Sequence, residues 1–364
     1  MARAAPVTVA ADDDGPEGAS VHRTNPAPAG CRPRPKRVVV TRAHAGLVGA
    51  VLAALALLIA SRPAAAAGLA RAASGVGDDL LSWWQAAVLG VVEGLTEYLP
   101  VSSTGHLLVT ARLLGLPDEK GSDGLDAVNT YVIAIQFGAI VAVAGLFWRR
   151  FVAMLAGLAG RNPAGRDLLV NLVIAFVPAA LLGFLFDDPI EELLFGPWPV
   201  VVTWVLGGLL ILWLERTGRI PDRGVPGAEP GVDPLTSITR RQALVIGLAQ
   251  CAALVPGTSR SLATILGALL VGVAMTAAVE FSFLLGFATL SAATAYKLAS
   301  DGGNLVDQFG VADPLIGALF AFGSAVLAIK WLITYLERHD LSIFAWYRFV
   351  VAGLAVLLLV GGVI

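Results

Sequence analysis

The sequence predicts an all-α polytopic membrane protein, an inverted repeat of one re-entrant helical hairpin plus three transmembrane helices in each half. Three observations carry that prediction. Of the 364 residues, 57% are hydrophobic and only 14% charged, with a mean hydropathy of +0.77; a soluble domain has a charged share of roughly 25%. Several apolar runs approach the about 20 residues that span a bilayer. Two further apolar segments are each broken in the middle by Pro, Gly and Ser, and these two resemble one another.

In chain order, residues 1–43 are rich in Ala, Pro, Asp and Arg without apolar periodicity, a composition that cannot repay the entropy of ordering, so a disordered leader is expected. Residues 44–77 follow as a signal-like segment or an extra hydrophobic helix with its linker. A basic stretch from Arg32 to Arg42 precedes the apolar run Ala43–Ala60, then Arg62, Pro63 and the small residues Ala64–Ala67. That order fits a signal peptide cut after Ala67 or an uncleaved first helix. Either way the basic flank stays inside and residue 68 emerges outside. Residues 1–77 carry none of the candidate chemistry and are expected to be dispensable for it.

Residues 78–364 form the membrane domain, with one repeat at about 83–214 and a second at about 240–364. Its predicted full-length spans are Val128–Trp148, Leu168–Phe186, Trp198–Leu214, Ala277–Lys297, Leu315–Leu336 and Ile343–Val363. Segments 83–115 and 240–272 are each two short apolar pieces, broken at Pro100-Val-Ser-Ser-Thr-Gly105 and Pro256-Gly-Thr-Ser-Arg-Ser261. Non-helical backbone at membrane depth survives only where protein buries it or it lines a cavity, so both segments are expected to be re-entrant hairpins. Gln85-Ala86, Gly90, Glu93, Pro100 and Ser103 recur as Gln242-Ala243, Gly247, Gln250, Pro256 and Ser259. Each hairpin precedes three spans, and an odd number of crossings inverts the second copy.

Loop charge agrees. The stretch 149–166 holds Arg149, Arg150, Arg161 and Arg166, and 215–241 holds Arg216, Arg219, Arg223, Arg240 and Arg241; both are expected in the cytoplasm. The loops at 116–127 and 187–197 are acidic, with Lys120 as their one base, and are expected outside. The first hairpin then enters from outside and the second from the cytoplasm. A net charge of −2 gives no sequence-wide attraction to nucleic acid. Cys31 and Cys251 have neither the number nor the spacing for a metal knuckle or disulfide framework.

The polar residues inside these apolar segments are the candidates for chemistry. Glu93 and Glu97 lie four apart, so on a helix both carboxylates leave one face and need a shared proton or a cation. Left unpartnered in the bilayer centre, Glu93, Glu97 and Arg260 would together cost roughly 8–10 kcal/mol. They must therefore be paired, metal-bound or lining water, unless the two glutamates sit solvated at the interface. Ser102, Ser103, Thr104, Gly105 and His106 place hydroxyls and an imidazole at the start of a half-helix near Thr104, where free N–H groups favour phosphate, although a Ser-rich start also serves as an ordinary cap. The second break repeats this with Gly257, Ser259, Arg260 and Ser261. A guanidinium fork matches phosphate oxygens; it could equally serve to neutralise a glutamate. Thr264 shares the face of Arg260, and Glu280 opens the following span as a candidate neighbour.

Glu93-Gly-Leu-Thr-Glu97, Pro100-Val-Ser-Ser-Thr-Gly-His106 and Pro256-Gly-Thr-Ser-Arg-Ser-Leu-Ala-Thr264 resemble the two motifs of the undecaprenyl-diphosphatase family linked to bacitracin resistance. The resemblance extends over about residues 80–364, including Glu280-Phe-Ser-Phe283 and Tyr347-Arg-Phe349. Leu262 stands where the family usually has Gly, and Ala288 where Pro is common. The resemblance implies dephosphorylation of a C55 lipid diphosphate at a site open to the outer face of the inner membrane. On this reading Glu93 and Glu97 hold a divalent cation, Mg²⁺ or Ca²⁺. Arg260 clamps phosphate oxygens with Ser102, Thr104, Gly257, Ser259, Ser261 and Thr264. Ser103 is the nucleophile with His106 as its base, or a water at the cation attacks directly. The expected partners are the prenyl diphosphate substrate and membrane lipids, with a homodimer left open. The rival class is a transporter or lipid-carrier flippase, because inverted repeats with broken helices also build transporters.

Overall fold

The computed structural model describes residues 81–116, 123–220, 233–309 and 312–364. The leader at 1–43, the signal-like segment at 44–77 and parts of the 116–127 and 215–241 loops lie outside the described residues. Eleven α-helices and two short 3₁₀ turns, with no strand, make up the described secondary structure. The first hairpin is α1 (Trp83–Glu97) and α2 (Ser103–Leu113); it is followed by α3 (Asp123–Leu146), α4 (Trp148–Leu158), α5 (Pro163–Leu194) and α6 (Pro197–Arg216). The second hairpin is α7 (Arg240–Gln250) and α8 (Arg260–Leu270), followed by α9 (Met275–Phe309), α10 (Ala312–Leu336) and α11 (Ser342–Val360). Among the described residues, five helices contain stretches long and apolar enough to cross a membrane: Pro163–Phe186, Pro197–Arg216, Met275–Lys297, Asp313–Leu336 and Ser342–Val360.

The two hairpins are built alike. The N–H of Ser82 and the N–H of Thr239 each donate to the side-chain oxygen three residues on, Gln85 and Gln242, at 2.9 Å, closing a capping box. Each glutamine amide then donates to the far end of the partner helix, Gln85 to the Leu114 carbonyl at 3.3 Å and Gln242 to that of Val271 at 2.9 Å. One side chain thus starts the descending helix and ties it to the end of the ascending one. Proline shapes both breaks by removing an N–H and disfavouring helix at the residue before it. Ser102 (φ 76°) and Ser259 (φ 73°) are the only non-glycine residues with positive φ among those described.

Small residues set the packing. A Cβ at Gly90 would strike the backbone of Gly317, so α1 lies directly on α10; one at Gly247 would strike the backbone of Ala175, so α7 lies directly on α5. The second elements of each half, α3 and α9, pack together, as do the last, α6 and α11.

Two expectations need revision. The span predicted at Val128–Trp148 breaks at Phe147 and turns by 75° into α4, so most of the expected 149–166 loop is helix. Met154 and Gly157 of α4 are buried while Val152, Leu155 and Leu158 are exposed; eleven residues with charged Arg149 and Arg150 at the start are too short to cross a bilayer. The 187–197 loop is also partly helical. Helical geometry lapses at Phe186 (φ −125°, ψ 18°) but resumes through Leu194, with Pro189 in the first turn of the new segment, where its missing N–H costs nothing.

Candidate active site

The two breaks meet. Arg260, first residue of α8, donates from Nη2 to Glu97 Oε1 at 3.0 Å, and the other oxygen of that carboxylate accepts the Ser103 hydroxyl at 2.5 Å. Glu97 ends α1, Ser103 begins α2 and Arg260 begins α8, so one carboxylate joins three helix ends. The Arg260 and Glu97 side chains retain only 12% and 5% of their exposure. In such a setting an ion pair is held less by its own attraction than by the roughly 3–5 kcal/mol penalty of stranding either partner. A Cβ at Gly286 would collide with the guanidinium, which explains a glycine in α9 at that point.

The second break docks on the first through backbone. Ser261 and Ser259 direct their hydroxyls at the Leu99 carbonyl, at 2.9 and 3.5 Å. Thr264 donates back to the Arg260 carbonyl at 2.9 Å and shares a 2.6 Å hydrogen bond with Ser282, whose own carbonyl accepts from Arg260 Nη1 at 3.3 Å. Tyr98 presents its ring 5.7 Å from the Arg260 guanidinium carbon, a distance at which a ring face attracts a cation.

Glu93 is fully buried, and neither of its oxygens has a hydrogen-bond partner, although Glu97, Arg260 and Gln136 lie near enough to act on it. The nearby arginine is already engaged by Glu97, so the second carboxylate lacks a counter-charge of its own. An orphaned buried carboxylate beside a paired one fits a hard cation with oxygen ligands; a group of three or more acidic, His or Cys ligands is absent among the described residues.

His106 departs from the expected role. Its Nδ1 lies 2.6 Å from the Ser102 carbonyl and its Nε2 lies 2.8 Å from the Tyr347 hydroxyl. A carbonyl only accepts, so Nδ1 carries a proton; in the neutral ring, Nε2 then accepts from Tyr347. Ser103 is turned to Glu97 instead, and both imidazole nitrogens are occupied by other partners. Thr104 is exposed, and Gly257 (φ 88°) packs so closely on Val200 and Thr203 that a side chain could not be accommodated. Glu280 lies elsewhere: it pairs with Arg150 at 2.7 Å, which also holds Asp233. Sequence reasoning did not single out Tyr98, Ser282 or the start of α11 as parts of the site. Only the Tyr347-Arg-Phe349 triplet had marked that helix, by resemblance.

The profile of the family described as bacitracin resistance protein BacA matches residues 86–354. Among similar proteins, the undecaprenyl-diphosphatase of Methylibium petroleiphilum is 45% identical over 287 residues, covering 78% of this chain and 98% of that protein. Undecaprenyl-diphosphatase 2 of Rhodospirillum rubrum is 45% identical over 280 residues, 77% of this chain and 95% of its own. The undecaprenyl-diphosphatase of Methylococcus capsulatus is 44% identical over 282 residues, 76% and 95%.

Proposed function

The chain belongs to the bacitracin resistance protein BacA family, and on that premise we propose that it hydrolyses undecaprenyl diphosphate to undecaprenyl phosphate and inorganic phosphate. This multi-pass membrane hydrolase recycles the lipid carrier of cell-wall synthesis, and by removing the diphosphate form it confers resistance to bacitracin. The observation that carries the site assignment is the buried junction of Glu97, Ser103 and Arg260 across the two breaks.

Phosphoryl transfer asks mainly for positioning and charge neutralisation. Arg260 clamps oxygens of the diphosphate with its planar fork, its unpartnered Nε adding a donor, and Ser102, Thr104, Gly257, Ser259, Ser261 and Thr264 line or shape the same two helix starts. Ser103 attacks the terminal phosphorus as its proton passes to Glu97 Oε2. The bond from that phosphorus to the bridging oxygen breaks, and undecaprenyl phosphate leaves. Water then attacks the phosphoserine phosphorus and gives its proton to Glu93, the bond from phosphorus to Ser103 Oγ breaks, Oγ takes back the proton held by Glu97, and inorganic phosphate departs. His106 acts through the Ser102 carbonyl, fixing the backbone that aims Ser103. A divalent cation, Mg²⁺ or Ca²⁺, would be held by Glu93 and Glu97 and would neutralise the diphosphate; each carboxylate oxygen has a second lone pair to spare.

We also read the domain as an inverted repeat with both hairpins re-entrant, seated in the inner membrane with the site open to its outer face. The exchanged packing supports this: α1 of the first half lies on α10 of the second, and α7 of the second on α5 of the first, as a two-fold in the membrane plane requires. Matching serines of positive φ and matching glutamine ties support it too. The test of function is phosphate release from purified protein given undecaprenyl diphosphate. Release within turnover of a few minutes is expected; vesicle translocation of the lipid without any phosphate release would replace the phosphatase with the flippase reading.

A further inference from the structure

Arg348, near the start of α11, is completely buried and has no carboxylate partner among the described residues. All three of its side-chain nitrogens donate to backbone carbonyls. Nη1 binds Pro100 at 3.1 Å; Nη2 binds Gly257 at 2.7 Å, Thr258 at 3.0 Å and Thr203 at 3.4 Å; Nε binds Trp204 at 3.3 Å. Pro100 precedes Ser102 by two residues, and Gly257 and Thr258 are the two residues before Ser259. One guanidinium therefore grips the chain immediately ahead of both left-handed serines. A strained non-glycine backbone persists only where its surroundings over-determine it, and here the same fork does so at both breaks. The residues that follow those serines are Ser103 and Arg260.

Resting on the phosphatase reading above, we infer that Arg348 is a positioning residue: it sets the two breaks in register, so that Arg260 meets the Glu97 and Ser103 pair. Being buried with each side-chain nitrogen engaged by backbone, Arg348 does not touch substrate, so its loss lowers kcat and leaves KM for the lipid diphosphate alone. Lysine keeps the charge, but its single ammonium cannot span Pro100, Gly257 and Trp204 as the fork does.

A gentle perturbation separates positioning from mere support of the fold. A Cβ at Gly207, in α6, would stand 2.8 Å from Arg348 Cζ and 2.9 Å from its Nη2, close enough to displace the guanidinium while removing no group. Glycine to alanine inside a helix otherwise favours the helix. Gly207→Ala is expected to lower kcat at least about five-fold with KM within two-fold of wild type, the protein remaining fully folded at the assay temperature. Gly323→Ala in α10, with open space around its Cβ, is the control and keeps wild-type kcat. Arg348→Lys is expected to lose at least about 100-fold in kcat; should it fail to fold, Gly207→Ala decides alone. Wild-type kcat in Gly207→Ala, or a loss that merely tracks a drop in melting temperature, overturns the inference. A wild-type protein that releases no phosphate refutes the phosphatase reading itself, and the inference with it.

Discussion

Replacing Glu97 by Gln keeps the shape of the junction and removes its charge. The carboxylate now receives Arg260 on one oxygen and Ser103 on the other, at 3.0 and 2.5 Å. In the amide, the oxygen keeps Arg260, which leaves –NH₂ facing the serine. Ser103 then has a donor where its proton acceptor stood. General-base catalysis contributes about 10²–10⁴-fold, so the barrier should rise by about 2.7–5.4 kcal/mol. The assay is phosphate release at saturating lipid diphosphate, with melting temperature followed in parallel to exclude loss of folded protein. Ser103→Ala should fall comparably, and the double variant should fall no further than the worse single, because the two groups act as one unit. Glu97→Gln within ten-fold of wild type would refute the proton path. Glu97→Gln inactive beside a fully active Ser103→Ala would also refute it, and would leave Glu97 acting through the cation.

Arg260→Ala and Arg260→Lys should both remain folded yet lose at least about 100-fold in turnover; near-normal hydrolysis by Arg260→Ala combined with Glu93→Gln or Glu97→Gln would show that the arginine only balances charge. Chelation should abolish hydrolysis and added Mg²⁺ or Ca²⁺ should restore it, with Glu93→Gln raising the half-saturating cation concentration at least about ten-fold; unchanged activity in chelator would remove the cation from the site. In a Cys-free background, a cysteine at position 120 should be labelled only from outside; labelling only from the cytoplasm would overturn the inverted repeat. For Asp233 burial works to raise the carboxyl, but hydrogen bonds from Arg150 and the Leu235 N–H outweigh it and hold it below its ordinary 3.8. With the folded value below the unfolded one, its stabilisation is present above the unfolded pKa and lost as pH falls through the folded one. Wild type should therefore melt higher than Asp233→Asn at pH 7 and lose that advantage below about pH 4; a gap independent of pH would refute the assignment.

The helices and both breaks were legible because bilayer solvation leaves a local record: long apolar runs, and Pro, Gly and Ser where the backbone must turn. The glutamates and Arg260 were legible for the same reason, since a charge in an apolar run must have a partner. Their partners were less so. His106 was expected as the base of Ser103, three residues away, but the imidazole is claimed by Tyr347, 241 residues on. Glu280 was expected beside the site because it opens the span after the second hairpin, yet its partner is Arg150, 130 residues earlier. The turn at Phe147 was missed because a run of apolar residues reads as one span whether straight or bent. Arg348 stands out as a charge in an apolar run, but its role does not, since its acceptors are carbonyls, and every residue has one.

The glycine contacts between α1 and α10 carry a consequence for how the chain is made. Gly90 rests against Gly317, 227 residues later, so the ribosome, at about 5–20 residues per second, delivers the companion of α1 only after roughly 11–45 s. During that interval the first hairpin, with Glu93 and Glu97 on it, has no α10 to lie against. Release of a chain ending after α6 should yield a product destined for membrane proteases, and two halves expressed separately should recover activity only when made together in the same membrane.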